Sequence, residues 1–237
     1  PFQFGPVGVR PFASARITHY EDTVLGPSDD RLAFAGGVSA GMRLARAWAW
    51  ANGDGSRTAL RHVMSPRVSF FNRYKVSGDP QNYFQFDETD SLTEGTQLRF
   101  DLLNRLQHRR DDNAVREFVW LDLAQTVTPI SDSVNQGNQL GLLEYELVLR
   151  PLEEWVPIPG LRLLVEGEHD WNQRDARTFN AGAIFREVLG IDWHAEYRTD
   201  HNTDGSLVYG LATEMFNRWS ISGRSQYDLE RDEVLNY

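Results

Sequence analysis

The chain of 237 residues contains no cysteine, which excludes a disulfide framework and any thiolate metal site within it. It has no apolar run near the ~18–20 residues that a membrane-spanning helix needs. Only 41% of its residues are hydrophobic, too few for a bundle of such helices. Basic residues are also in short supply. Lys and Arg number 24 against 34 Asp and Glu, a formal charge of −10, whereas a nucleic-acid partner calls for a basic face. No initiating Met and no signal-peptide pattern stand at the start, and the chain stops at Asn236-Tyr237 as another extended segment begins. It is therefore expected to be an excerpt of a longer exported protein.

What is abundant is alternation. From Ile191 to Asp200 the odd positions Ile191, Trp193, Ala195, Tyr197 and Thr199 oppose Asp192, His194, Glu196, Arg198 and Asp200. Successive strand side chains point to opposite sides, so this segment separates an apolar medium from a wet one. As a helix it would scatter its charges all round. Residues 219–230 repeat the pattern, with Trp219, Ile221, Gly223, Tyr227 and Leu229 against Arg224, Gln226, Asp228 and Glu230. Earlier segments oppose Leu98, Phe100, Leu102 and Leu106 to Arg99, Asp101 and Arg105, and Val119, Leu121 and Leu123 to Trp120 and Asp122. Others oppose Leu143, Tyr145 and Leu147 to Glu144 and Glu146, and Leu163 and Val165 to Arg162, Glu166 and Glu168.

With 7–20, 32–50, 60–75, 178–186 and 206–216, about 11–12 strands are expected, many near the ~9–11 residues that cross a bilayer with tilt. Polar segments 21–30, 76–95, 128–138, 171–177 and 200–205 read as loops on one side. Mostly shorter joins at 52–55, 110–113, Gly190 and 217–218 read as turns on the other, with 151–160 a longer, proline-rich exception. A bulge near Gly36-Gly37 or after Leu44 is expected to reset the phase that puts Arg46 on an apolar face. Pro11 and Pro66 are expected to mark bulges or strand starts. The fold class this predicts is an all-β, antiparallel transmembrane β-barrel, a meander. Residues 1–237 are expected to form part of a single barrel domain in the outer membrane of a Gram-negative-type bacterium.

The run Leu60-Arg61-His62-Val63-Met64-Ser65-Pro66-Arg67-Val68-Ser69-Phe70 resembles an "LRH…P…Y" strand of the lipopolysaccharide-assembly outer-membrane proteins, the lipopolysaccharide transport protein D family. Phe86-Asp87-Glu88-Thr89-Asp90-Ser91-Leu92, then Asn104-Arg105-Leu106-Gln107, resemble that family's Asp-bearing loop and its following strand. Asn217-Arg218-Trp219-Ser220-Ile221 with Tyr227-Asp228 resemble its "RWS…YD" strands. The distinctive residues cover 60–107 and 217–228. The resemblance implies a scaffold that passes lipopolysaccharide, or a related amphiphile, from periplasmic bridge proteins to the outer leaflet, with a plug lipoprotein in its lumen and outer-membrane lipid around it. It also implies that the family's periplasmic domain and the closing strands lie outside this stretch. The alternative is a general or substrate-specific porin-like channel; a soluble β-sandwich or lipocalin-like module is a third.

The candidate lumen lining is Arg99, Asp101, Arg105, Asp122, Glu144, Glu146, Arg162, Glu166, Glu168, Asp192, His194, Glu196, Arg198, Arg224 and Asp228. Such charges also pair across ordinary wet strands, each pair adding ~0.2–1 kcal/mol. Six histidines (His19, His62, His108, His169, His194, His201) and the Asp192–His194 spacing raise metal or hydrolytic chemistry. No nucleophile stands at a spacing that completes a triad, and Glu166 with Glu168 is the ordinary acid alternation of a wet strand, so no catalytic, cofactor or metal role is expected. Trp48, Trp50, Trp155, Trp171, Trp193 and Trp219 fall near strand ends, as interfacial anchors do. Tyr83, Phe84 and Phe86 sit in a loop that either folds inward or stands free as a tip.

Overall fold

In a computed structural model of the chain, all residues are described except 25, 52–56, 85–93, 110–113, 130–137, 153–155, 159, 189, 201–202, 216–218 and 236–237. The protein is all-β. Its strands are β1 (Phe2–Phe4), β2 (Val7–Thr23), β3 (Gly26–Met42), β4 (Leu44–Ala51), β5 (Arg57–Val76), β6 (Gly95–Arg109) and β7 (Val115–Val127). They continue as β8 (Leu140–Leu149), β9 (Arg162–Asp170), β10 (Asp175–Val188), β11 (Ile191–Asp200), β12 (Thr203–Met215), β13 (Trp219–Asp228) and β14 (Glu233–Leu235). They form one antiparallel meander sheet in sequence order, with β4 continuing the line of β3 along β5. Among the described pairings the order runs from β1 to β14 and does not close on itself. The chain forms two compact units, Pro1–Arg43 with Pro66–Asp101 and Gln125–Gly141, and Leu44–Ser65 with Leu102–Ala124 and Leu142–Tyr237. Among the described residues no helix is long and apolar enough to cross a membrane.

The fourteen strands exceed the expected number because β1 and β14 are three-residue additions and the segment around 32–50 breaks at Arg43 into β3 and β4. Two of the expected loops are largely strand. At 21–30 the ladder carries on through Asp22↔Pro27 and Thr23↔Gly26. At 200–205 it resumes with Asp200↔Thr203. Polar side chains at a hairpin end leave the backbone free to keep pairing, so composition alone misplaces these ends. Segment 171–177 narrows to a turn, since β10 already begins at Asp175.

The phase correction also lies elsewhere than expected. The register is continuous from Gly36↔Asn72 through Gly41↔Arg67 and on into Leu44↔Met64 and Arg46↔His62. The irregularity falls between Phe34 and Ala35, where Tyr74 is the extra residue on β5. Arg46 thus stays on the face of Leu44, Trp48 and Leu60, with its guanidinium 5.2 Å from the Trp48 ring. Pro11 is neither a bulge nor a strand start. Its other side is an edge, because β1 covers β2 only from Val7 to Val9, and there a missing N–H breaks no ladder. Pro66 lies deep in β5, beside the Arg43 break between β3 and β4.

Candidate functional site

Register decides what the sheet can do. From β8 to β13, except at the hairpin ends beyond register shifts in β9–β10, β10–β11 and β11–β12, odd positions pair with odd and even with even. One apolar row runs Leu147↔Val165↔Ala181↔Tyr197↔Leu207↔Tyr227, and the next runs Leu149↔Leu163↔Ala183↔Ala195↔Tyr209. On the other face Glu146↔Glu166↔Asn180↔Arg198↔Ser206↔Asp228 form a row. Beside it lie Glu144↔Glu168, Gly182↔Glu196↔Val208↔Gln226, and Arg162↔Ile184↔His194↔Gly210↔Arg224. Asp192 follows, opposite Ala212. Eleven of the candidate residues therefore share one face of six strands.

The two faces of β12 differ in exposure, and in the direction opposite to a water-soluble sheet with a core. On β12 the apolar Leu207, Tyr209 and Leu211 are exposed at 40%, 44% and 40%, while Val208 between them, on the charged face, is at 0%. Trp193, Trp219 and Ile221 are exposed on the apolar face, and Val148 is buried on the charged one. A surface patch this apolar and this extensive calls for an apolar partner. Trp48, Trp50, Trp193 and Trp219 all stand exposed near the strand ends with the short joins, Trp171 stands just past the opposite end of β9, and Trp155 lies outside the described residues.

Within the charged face, hydrogen bonds hold individual groups. Arg198 donates twice to the two carboxylate oxygens of Glu196, from Nε and Nη2, both at 2.8 Å. Asn180 Nδ2 donates to Glu166 Oε1 at 3.2 Å. Asp228 accepts from the backbone N–H of Glu230 and Arg231 and so caps the turn after β13. Glu146 has Glu166, Asp122 and Arg162 as its charged neighbours, which places Asp122 of β7 in the same electrostatic field. Glu144 and Glu168, and Glu146 and Glu166, stand directly opposite each other, an arrangement of like charges that costs stability. Arg99 donates to Asp101 on its own strand at 2.9 Å.

Arg105 finds Glu117, at 3.9 Å, and Glu117 also lies 3.6 Å from Arg150 and accepts from Gln107. Strict alternation along β7 hides Glu117, because its parity assigns it to the apolar side. Its basic partners come from strands on both sides of β7.

The histidines do not gather. His19 pairs with Asp30 at 2.7 Å, His62 Nε2 lies 3.2 Å from Asn104 Oδ1, and His169 meets the edge of Trp171. His194 lies across Gly210, where a Cβ would overlap its ring; His201 lies outside the described residues. Among the described residues no group of three or more His, Asp or Glu could hold a metal ion. The His62–Asn104 contact joins the two strands that carry the Leu60–Phe70 and Asn104–Gln107 motifs. The Asp-bearing segment between them falls mostly outside the described residues.

The segment after β5 packs against the β2–β3 hairpin. Tyr83 is buried and its hydroxyl donates to Asp29 Oδ2 at 2.7 Å. Its ring lies 4.5 Å from that of Tyr20, with the Arg31 guanidinium 4.9 Å away. Gly78, at φ +75°, makes the space, since a side chain there would strike the Tyr83 ring. Backbone bonds Val24 N–H to Asn82 O and Ser77 N–H to Leu32 O tie the segment to the β2–β3 hairpin. Burial, then the bond to Asp29, push the Tyr83 hydroxyl up to about 12. Phe84 is exposed, and Phe86 lies outside the described residues.

No protein-family model matches the chain, and no curated protein sequence matches it.

Proposed function

We propose that the chain is wall of an outer-membrane β-barrel, with its odd-numbered face from β8 to β13 against lipid and its charged face lining an aqueous lumen. The single observation that carries this reading is the exposure of Trp193, Leu207, Tyr209, Leu211, Trp219 and Ile221 on one face of β11–β13, while Val148 and Val208 on the charged side are buried. Backbone chemistry agrees: strands cross lipid when each N–H and C=O has a neighbour strand, and an antiparallel meander provides one. A wall without covalent chemistry is a conduit.

Its cargo, on this proposal, is lipopolysaccharide or a related amphiphile, whose sugar-phosphate part travels in the charged lumen. Support for that cargo is the resemblance of the Leu60–Phe70 and Asn104–Gln107 runs, whose strands meet at His62 and Asn104. Periplasmic bridge proteins and a plug lipoprotein are the partners the same resemblance brings.

Photo-crosslinking in intact cells tests it. Benzophenone side chains at Glu146, Glu196 and Gln226 are expected to yield lipopolysaccharide adducts, and those at Leu147, Ala195 and Tyr227 membrane-lipid adducts. Absence of lipopolysaccharide adducts from all three charged-face positions, together with steady ion conductance in planar bilayers, would assign a porin-like channel instead.

A further inference from the structure

The charged face is acidic overall, yet four arginines gather where β7 to β10 meet the short joins. Arg116, Arg150, Arg162 and Arg186, from the ends of β7, β9 and β10 and from just past β8, line a single cavity of ≈ 460 Å³, with Glu117 as the one acid and buried Leu152 as part of the wall among the described residues. Among the described residues four positive charges stand there against one negative, in a chain of net charge −10. Glu117 lies 3.6 Å from Arg150. The Nε of Arg162 is buried and has no hydrogen-bond partner among the described residues. A buried guanidinium donor without an acceptor is costly, and an anion supplies what it lacks. The strands here end at the side of the short joins, which in outer-membrane barrels is the periplasmic side.

We infer that this cavity is a binding site for a phosphate-bearing anion at the periplasmic mouth of the lumen, held by charge-assisted bonds from Arg150, Arg162 and Arg186. The location at the mouth rests on the proposed barrel reading; the anion chemistry rests on the cavity itself. Two sources share that chemistry: the phosphorylated headgroup of a glycolipid, and a free phosphate anion. Planar guanidinium forks suit a phosphate better than a lysine would, since each fork can donate two parallel bonds.

The test uses the full chain folded in neutral detergent micelles. Calorimetry measures binding of inorganic pyrophosphate, and separately of micelles doped with a phosphorylated acyl-disaccharide or its dephosphorylated form. Saturable pyrophosphate binding that weakens with salt is expected. Arg162→Gln and Arg186→Gln are each expected to lower affinity about tenfold or more, while Arg10→Gln, the same charge change outside the cavity, leaves it unaltered. Tighter binding of the phosphorylated disaccharide than of pyrophosphate identifies a lipid headgroup as source; equal binding identifies a free anion. A chain that folds in micelles by circular dichroism yet binds neither probe overturns the site and leaves the barrel reading standing. A chain that folds as a soluble monomer without detergent overturns the barrel reading instead. Binding that emerges only in the Glu153→Gln/Glu154→Gln variant would assign the arginines to the acids of their own join and overturn the site.

Discussion

Replacing Val165 with arginine is expected to cost about 2–4 kcal/mol of folding stability in a bilayer, while arginine one residue on, at Glu166, stays within about 1 kcal/mol of the parent. The magnitudes follow from position. With a rise of ~3.4 Å per residue and a tilt of ~40°, a strand climbs ~2.6 Å per residue, so an apolar band ~25 Å tall takes about ten residues. β9 has nine, and Val165 stands one residue from its centre, Glu166. An arginine at 165 therefore emerges near the midplane, with Leu147 and Ala181 directly opposite and no acid to meet it. At 166 it would face Glu146, removing a like-charge pair, and would forfeit the bond from Asn180; the two changes offset. Denaturant titration of the protein in lipid vesicles, read by tryptophan emission, gives both values. Equal cost at the two sites refutes the two-solvent assignment. So does a cost-free Val165→Arg in a protein that stays folded and monomeric without detergent.

Three further outcomes follow from individual contacts. Tyr83→Phe is expected to lose about 1 kcal/mol, the value of its bond to Asp29. The parent should also lose stability as pH rises from 10 to about 12, because the folded state holds the Tyr83 proton more tightly than the unfolded chain; the phenylalanine variant lacks that contribution, as pH-dependent denaturation would reveal. Trp219→Ala should weaken insertion into vesicles more than folding in micelles, since Trp219 is 72% exposed at a strand end; equal losses in both media would remove it from an interfacial role. His62→Ala should cost about 1 kcal/mol and be matched, without addition, by Asn104→Ala, because both delete one bond; additive losses in a double-mutant cycle would dissociate the two strands' motifs.

What was legible in the sequence was whatever two-fold alternation carries. β11 begins and ends where the pattern does, at Ile191–Asp200, since its change of face is uninterrupted. Hairpin ends were not legible. Asp30 reads as the edge of a polar loop, yet it pairs with His19 of β2 in one ladder and bonds to it through the side chains. Composition reports the solvent around a side chain, while pairing is decided by the backbone.

Long-range groups were hidden for another reason. Tyr83 is 54 residues from Asp29, and the arginine cavity takes one residue from each of four strands. No local window holds either set, and strand register has to be known before they meet. Glu117 is hidden because it and its neighbour Arg116 line the same cavity, so strict alternation fails at the start of β7.

Glycine and aromatic residues, read separately in the sequence as turn formers and girdle, turn out to be coupled within the sheet. Phe12 stands directly opposite Gly37, Tyr145 opposite Gly167, and His194 opposite Gly210, and each ring lies over the glycine it faces. A strand glycine exposes backbone and weakens the ladder, and an aromatic laid across it restores cover. The rings are not the whole reason for the glycines. At Gly210 a Cβ would overlap the His194 ring but would also come within 2.8 Å of the Gly223 carbonyl oxygen. Gly210→Ala is therefore expected to cost about 1–3 kcal/mol, and adding His194→Ala should recover part of it, because trimming the ring leaves the carbonyl in place. Complete recovery in the double variant would mean that ring overlap alone selects glycine, and that the close approach of β12 and β13 backbones plays no part.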